Sequence, residues 1–185
     1  MAERNRKRGT ARGAAIDGSR QVAAGSAEFG VAKPLAVAVT AAGVIAAALL
    51  VATEFSTVAS VDVANGSCEV INDSNPALAD RCELSGFERH GGAFLLLAAL
   101  AMLMAWGAGM GGSLPAALAL VAVGVVVIGW ALLVDLPVTD ETGAIGISFE
   151  GATAKAGPGL TMELVAGALA LGAGVTALLA RSRPD

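Results

Sequence analysis

Four long apolar blocks, separated by polar segments, dominate the pattern of hydrophobic and polar positions along this chain. They cover residues 34–53, 92–110, 115–134 and 160–180. An α-helix rises about 1.5 Å per residue, so about twenty residues cross the bilayer's hydrocarbon layer of about 30 Å. The second and third blocks contain no charged or amide side chain. The pattern therefore predicts an all-α membrane protein, a bundle of four transmembrane helices over residues 34–180.

The first block has an alternative interpretation as the apolar region of a cleaved secretory signal behind a basic leader. Such regions usually span about 7–15 residues and end at an A-x-A-like cleavage site. The block over 34–53 is longer and no convincing site of this kind follows it. The sequence favours an uncleaved span.

The overall composition agrees with a membrane protein. Hydrophobic residues make up 55% of the 185 residues, charged residues only 15%, and the mean hydropathy is +0.69. Soluble domains carry about 25% charged residues. Because the apolar residues are concentrated in blocks rather than spread over short amphipathic elements, a large soluble core is disfavoured.

The charges between the blocks predict the orientation. Seven Lys or Arg residues face three carboxylates in 1–33, whereas 54–91 holds seven carboxylates and 135–159 holds four. Positive segments stay in the cytoplasm during insertion. We therefore expect a cell-membrane protein with both termini cytoplasmic, two outer loops over 54–91 and 135–159, and a short inner tail over 181–185.

The basic segment over residues 1–33 lacks a sustained apolar period and predicts a disordered cytoplasmic arm. Clustered positive charge can bind nucleic acid or anionic lipid headgroups. No aromatic residue lies among the basic residues of 4–12, so a base-stacking surface is not indicated. We expect the arm to contact lipid headgroups and not nucleic acid.

Both cysteines of the chain, Cys68 and Cys82, lie in the first outer loop. An oxidising outer compartment favours a disulfide bond between them, which would stabilise a loop of this size by roughly 3 kcal/mol. Two cysteines and the single His90 are too few for a structural zinc site, and a redox-active pair is usually closer in sequence. The prediction is a compact, disulfide-bridged outer cap.

A short β-sheet is expected within this cap. Val61 and Val63 alternate with polar residues in the first loop, and Ile145, Ile147 and Phe149 alternate in the second. Alternation with a period of two is typical of half-buried strands. We hypothesise that these two segments pair above the bundle.

Three ionisable residues near the outer ends of the helices are weak candidates for a polar site: Glu163, Asp135 and His90. A carboxylate inside a span is a functional hypothesis by default. Glu163 lies only three residues below the outer end of its block. We therefore expect its side chain to reach the interface or to pair with Arg89 or His90.

Small residues recur every third or fourth position in two blocks. Ala38, Ala42 and Ala46 share one face of the first helix, and the fourth carries a similar stripe of Ala166, Ala170, Gly174 and Ala177. Small residues allow close helix contacts in lipid. We hypothesise that the first and fourth helices pack along these stripes, with a dimer seam as the alternative use of the first.

Chemical motifs are missing from the sequence. There is no dinucleotide fingerprint, phosphate-binding loop, zinc-protease helix or nucleophile elbow, and one histidine makes a His-based catalytic site improbable. No charged residue lies at mid-depth in a block, where coupled transporters usually carry one. We expect no enzyme activity, cofactor or metal.

The layout resembles the tetraspan pattern of four helices, internal termini and a larger first outer loop with a cysteine pair. The run from Glu141-Thr142-Gly143 through Phe149-Glu150 to Gly157-Pro158-Gly159 is similar to small four-span bacterial membrane proteins of unassigned function. The resemblance implies topology only. The function expected is that of a non-catalytic accessory or scaffolding protein of the cell envelope. Alternatives are an oligomeric transporter or channel subunit, with Glu163, Asp135 and His90 lining an outer vestibule, and a signalling protein acting through the basic arm.

Overall fold

The computed structural model describes residues 33–63 and 81–182. The predicted disordered arm up to residue 32, Cys68 and the last residues of the tail lie outside the described residues.

Four helices make up most of the described chain: α1 (Lys33–Glu54), α3 (Ala93–Gly109), α4 (Leu114–Trp130) and α7 (Pro158–Arg181). Three candidate membrane spans are found among the described residues, namely Lys33–Glu54, Leu114–Ser148 and Pro158–Arg181. Helix α3 is apolar too but has only 17 residues, so it rises about 25 Å. The structure is therefore compatible with a membrane protein, and the full four-span bundle remains a prediction.

The four helices pack against one another around an apolar core. Helix α1 contacts α3 and α7, and α4 contacts the same two helices. The buried side chains between them are mostly alanine, with Leu50, Phe94 and Leu120 among the few large ones. Small side chains let helix backbones approach closely, which increases dispersion contacts where lipid offers no hydrophobic driving force.

The two stripes of small residues are placed differently from each other. Helices α1 and α7 do contact each other, and Ala46 and Ala170 are buried in the shared core. Gly174, however, faces α4, because a Cβ added there would lie 2.8 Å from the carbonyl oxygen of Ala117. The expectation that Gly174 serves the contact with the first helix is therefore wrong, and its small size serves the packing of α7 on α4.

A small three-stranded sheet covers one end of the helices. Strand β1 (Thr57–Asp62) lies in the centre, antiparallel to β2 (Glu83–Ser85) on one side and to β3 (Thr153–Ala156) on the other. Val58 anchors the sheet, since it is buried in a cluster with Ala131 and Leu160.

The predicted sheet is thus present, but one of its strands was misplaced. The segment with Ile145 and Ile147 is not a strand; it forms the short helix α6 (Gly143–Ser148). The pairing partner of β1 from the second outer loop is instead Thr153–Ala156. Ile145 packs in a separate small cluster with Cys82, so α6 covers the sheet end rather than extending it.

At the opposite end of the helices, the turn between α3 and α4 meets the end of α7. Ser113 caps α4 with its side chain, and Pro115 occupies the first turn, where a missing N–H costs nothing. Arg181, in the last turn of α7, donates a hydrogen bond to the carbonyl oxygen of Gly112. The turn between α3 and α4 and the C-terminal end of α7 therefore lie at the same end of the helices, away from the sheet.

Candidate functional site: a buried polar cluster beneath the cap

Asp135 lies at the end of an irregular turn that continues helix α4. Residues Ala131–Asp135 form a π-helical turn, in which the N–H of Leu136 donates to the carbonyl of Ala131, five residues earlier. The short helix α5 (Leu136–Val138) follows and contains Pro137, which cannot donate the next helical hydrogen bond. Single π-turns of this kind often occur at functional sites. Here the turn ends on a carboxylate that is fully buried.

Two cationic or potentially cationic side chains meet this carboxylate. Arg89 Nε lies 3.0 Å from Asp135 Oδ1, and His90 Nε2 lies 3.0 Å from Asp135 Oδ2. Arg89 also donates from Nη2 to the carbonyl oxygen of Val134 at 2.9 Å. These contacts join the outer loop to the end of the α4 segment, 45 residues further along the chain. The fork of a guanidinium suits such a double contact better than an ammonium group would.

The short helix α2 (Gly86–His90) presents Arg89 and His90 to the cluster. A capping box starts it: the Ser85 hydroxyl accepts from the N–H of Glu88, and the Glu88 carboxylate accepts from the N–H of Ser85. The hydrogen bonds from the backbone and hydroxyl of Ser85 lower the pKa of Glu88. Gly91, with φ of 58°, ends the helix in the left-handed conformation that glycine adopts most easily. The local sequence therefore fixes where the two basic residues stand.

The imidazole of His90 is held by aromatic contacts. Its ring stacks on Phe94 with centroids 4.0 Å apart and meets the edge of Trp130 at 6.2 Å. The side chain is fully buried, and Nδ1 has no hydrogen-bond partner among the described residues. One ring nitrogen thus contacts Asp135 while the other stays unsatisfied.

Glu163, in the second turn of α7, completes the cluster. It is 0% exposed, and neither carboxylate oxygen has a hydrogen-bond partner among the described residues. The expectation that its side chain reaches the interface is therefore wrong. Pairing with Arg89 or His90 is also not what the structure contains, because both of these residues contact Asp135 instead.

The three candidates from the sequence, His90, Asp135 and Glu163, nevertheless come together in space. Each offers a potential ligand atom, and these atoms lie within 4.8 Å of one another. The three residues belong to α2, the π-turn and α7. The cluster therefore links three parts of the chain that are far apart in sequence.

A third buried carboxylate, Glu54, lies at the end of α1 and was not singled out from the sequence. Its Oε1 accepts from the backbone N–H of Phe94 at 2.8 Å, while Oε2 is buried without a partner among the described residues. Gly92, the residue before α3, provides no side-chain cap. Glu54 thus satisfies an N–H in the first turn of a neighbouring helix, where a negative charge is favourable.

Of the two cysteines in the predicted disulfide, only Cys82 is among the described residues. Cys82 is buried beside Ile145 and is not a free cysteine. Cys68 lies outside the described residues. The bond between the two stays a prediction, and a buried, engaged Cys82 is compatible with it.

Comparison with known proteins adds no relative to this description: no protein-family model, curated protein or solved structure matches the chain. The resemblance to small four-span membrane proteins therefore stays a prediction based on layout.

Proposed function

We propose that this chain is an integral membrane protein of the cell envelope that acts without a catalytic centre, as an accessory or scaffolding protein. In this proposal the four long helices lie in the bilayer and the sheet-covered end forms an outer cap that contacts another envelope component.

The position of the buried ionic groups carries this proposal. Among the described residues, the buried carboxylates and the buried histidine all lie at the sheet-covered end: Glu54, His90, Asp135 and Glu163. The core below them is apolar, and the Thr40 hydroxyl is bonded to a carbonyl of its own helix. Conduction or coupled transport usually needs polar groups at mid-depth. A cluster that ties loops to helix ends favours a structural role.

The outward faces of the helices support a membrane location. Leu96 on α3, Leu133 in the π-turn and Leu179 on α7 are each at least 60% exposed. Large aliphatic side chains in such positions are stable in lipid or against an apolar partner helix. Ile147 on α6 is 90% exposed at the cap, which provides an apolar contact point outside the four long helices.

The proposed topology places both termini in the cytoplasm. The contact of Arg181 with the α3–α4 turn supports an inner end that contains this turn and the tail. The cap then faces the oxidising side, where a Cys68–Cys82 bond would hold the first loop. Alkylation of the native protein, followed by mass analysis, tests the bond; two alkylated thiols would contradict it.

The functional proposal is tested with the full-length protein carrying a tag after Asp185. Crosslinking in intact cells, extraction in mild detergent and mass analysis should recover a different membrane or envelope protein in reproducible stoichiometry. Exchange of Ile147 for Ser should weaken this crosslink, whereas exchange of Leu179 for Ala at the inner end should not. A homo-oligomer that conducts ions in liposomes would overturn the accessory role in favour of a channel or transport subunit.

A further inference from the structure

The burial of the Glu163 carboxylate is electrostatically unfavourable. Its carboxylate is fully buried, and both oxygens lack a hydrogen-bond partner among the described residues. A buried charge without a partner costs several kcal/mol. Arg89 is already engaged by Asp135 and by the Val134 carbonyl, and His90 contacts Asp135 as well. The carboxylate is therefore neutralised either by a proton or by a further cation.

We propose that His90, Asp135 and Glu163 bind one divalent first-row transition-metal ion, with Zn²⁺ as the best match. The site lies beneath the cap and joins α2, the π-turn and α7. The proposal goes beyond the accessory role and does not depend on it.

The distances suit this ligand set. Two donor atoms about 2.1 Å from one ion, at a right angle to each other, are about 3.0 Å apart. His90 Nε2 and Asp135 Oδ2 are separated by 3.0 Å. All three ligand atoms lie within 4.8 Å of one another, which is close to the span of about 4.2 Å across such an ion.

The chemistry of the donors selects the class of ion. One imidazole and two carboxylates suit Zn²⁺ and other transition ions, whereas Ca²⁺ and Mg²⁺ prefer a full set of oxygen ligands. Two carboxylates and Arg89 sum to −1, and a divalent ion changes this to +1 while placing a cation next to Glu163. The His90 ring stacks on Phe94 and meets the edge of Trp130, and packing of this kind restricts the rotamers of a ligand side chain.

The first test uses the full-length wild-type protein, purified in detergent through a tag without histidines and freed of metal by a chelator. Equilibrium dialysis with Zn²⁺ should load one ion per chain. Co²⁺ should give visible absorption bands typical of a site with a nitrogen ligand. Zn²⁺ should raise the thermal unfolding temperature, because it binds the folded state only.

Two variants identify the ligands. Glu163→Gln and His90→Gln keep the size of the side chain and should each weaken Zn²⁺ binding by about 100-fold or more, since even supporting residues of metal sites contribute about 10–100-fold. Glu54→Gln is the matched control: it alters another buried carboxylate at the same end of the helices, one that does not belong to the three-residue group. It should bind Zn²⁺ as the wild type does.

Several results would overturn the site. One is a wild-type protein that takes up no stoichiometric Zn²⁺ and shows no ligand-field bands with Co²⁺. The others are a preference for Ca²⁺ or Mg²⁺ and unchanged Zn²⁺ binding in Glu163→Gln. In the first case a proton on Glu163, rather than a metal, neutralises the cluster. The wild-type measurements decide the question even if a variant fails to fold.

Discussion

Exchange of Gly124 for Ala should destabilise the protein, although the same exchange in a free helix is stabilising. Gly124 lies where α4 crosses α7. A Cβ added there would lie 2.5 Å from the backbone N of Leu171 and 2.7 Å from the carbonyl oxygen of Gly167. Backbone atoms cannot rotate away as a side chain can, so the two helices would have to move apart.

The expected size follows from two opposing effects. Overpacking of a close contact costs about 1–3 kcal/mol, and replacing Gly by Ala inside a helix gains up to about 1 kcal/mol. At Gly124 the net loss should be about 1–2 kcal/mol. Gly129 is the matched control on the same helix, because a Cβ there meets no atom within 4 Å. Its exchange for Ala should gain up to about 1 kcal/mol.

Thermal unfolding in mild detergent, followed by far-UV circular dichroism, measures both variants. A difference of about 1–3 kcal/mol corresponds to roughly 2–12 °C for a chain of this size. If Gly124→Ala and Gly129→Ala unfold at the same temperature, the close packing of α4 on α7 is wrong. Gly174 and Gly172 on α7 offer an independent pair, since only the former faces neighbouring atoms within 4 Å.

Three further predictions concern the cap. Asp135→Asn should cost about 2–3 kcal/mol of unfolding free energy, because it removes the charge that a partly exposed arginine contacts. Asp62→Asn breaks an exposed ion pair and should cost less than about 1 kcal/mol. Unfolding in detergent measures both variants. Glu54→Ala should cost about 1–2 kcal/mol and Glu54→Gln less, since the amide oxygen can still accept the helix N–H; equal losses would contradict this capping role. Because the folded state lowers the pKa of Glu88, its contribution is present above the pKa of the unfolded chain and is lost as the pH falls through the folded value. The hydrogen-exchange protection factors of residues 86–90, which are corrected for the intrinsic exchange rate at each pH, should therefore fall in acid, and Ser85→Ala should remove that pH dependence.

The positions of the long helices were predictable because each is marked by a continuous apolar run. The predicted first span, 34–53, differs from α1 (Lys33–Glu54) by one residue at each end. The second outer loop was harder. Residues two apart in a helix point in nearly opposite directions, so over a single turn the alternation of Ile145 and Ile147 fits a helix as well as a strand. One is buried and the other 90% exposed in α6.

The polar cluster shows the limit of reading the residues one by one. The sequence marks His90, Asp135 and Glu163 as ionisable groups near helix ends, but not the pairing of Arg89 with Asp135. Asp135 lies at the end of a π-turn, which adds one residue to a helical turn, and the apolar run before it gives no sign of this irregularity. The sequence gives no sign of a role for Glu54, because a carboxylate directly after an apolar run is typical of the start of a loop. Its role is visible only where the first turn of α3 meets it.

The order of strands in the cap has a consequence for biosynthesis. Strand β1, the middle strand of the sheet, leaves the ribosome before both of its neighbours, and β3 follows it by 91 residues (62 to 153). Until the last strand arrives, β1 has an open edge, and unpaired edges invite pairing with other chains. Since β3 immediately precedes α7, the sheet can be completed only when synthesis reaches the last long helix. A nascent chain stopped before residue 153 should therefore be the species that needs a chaperone to cover this edge.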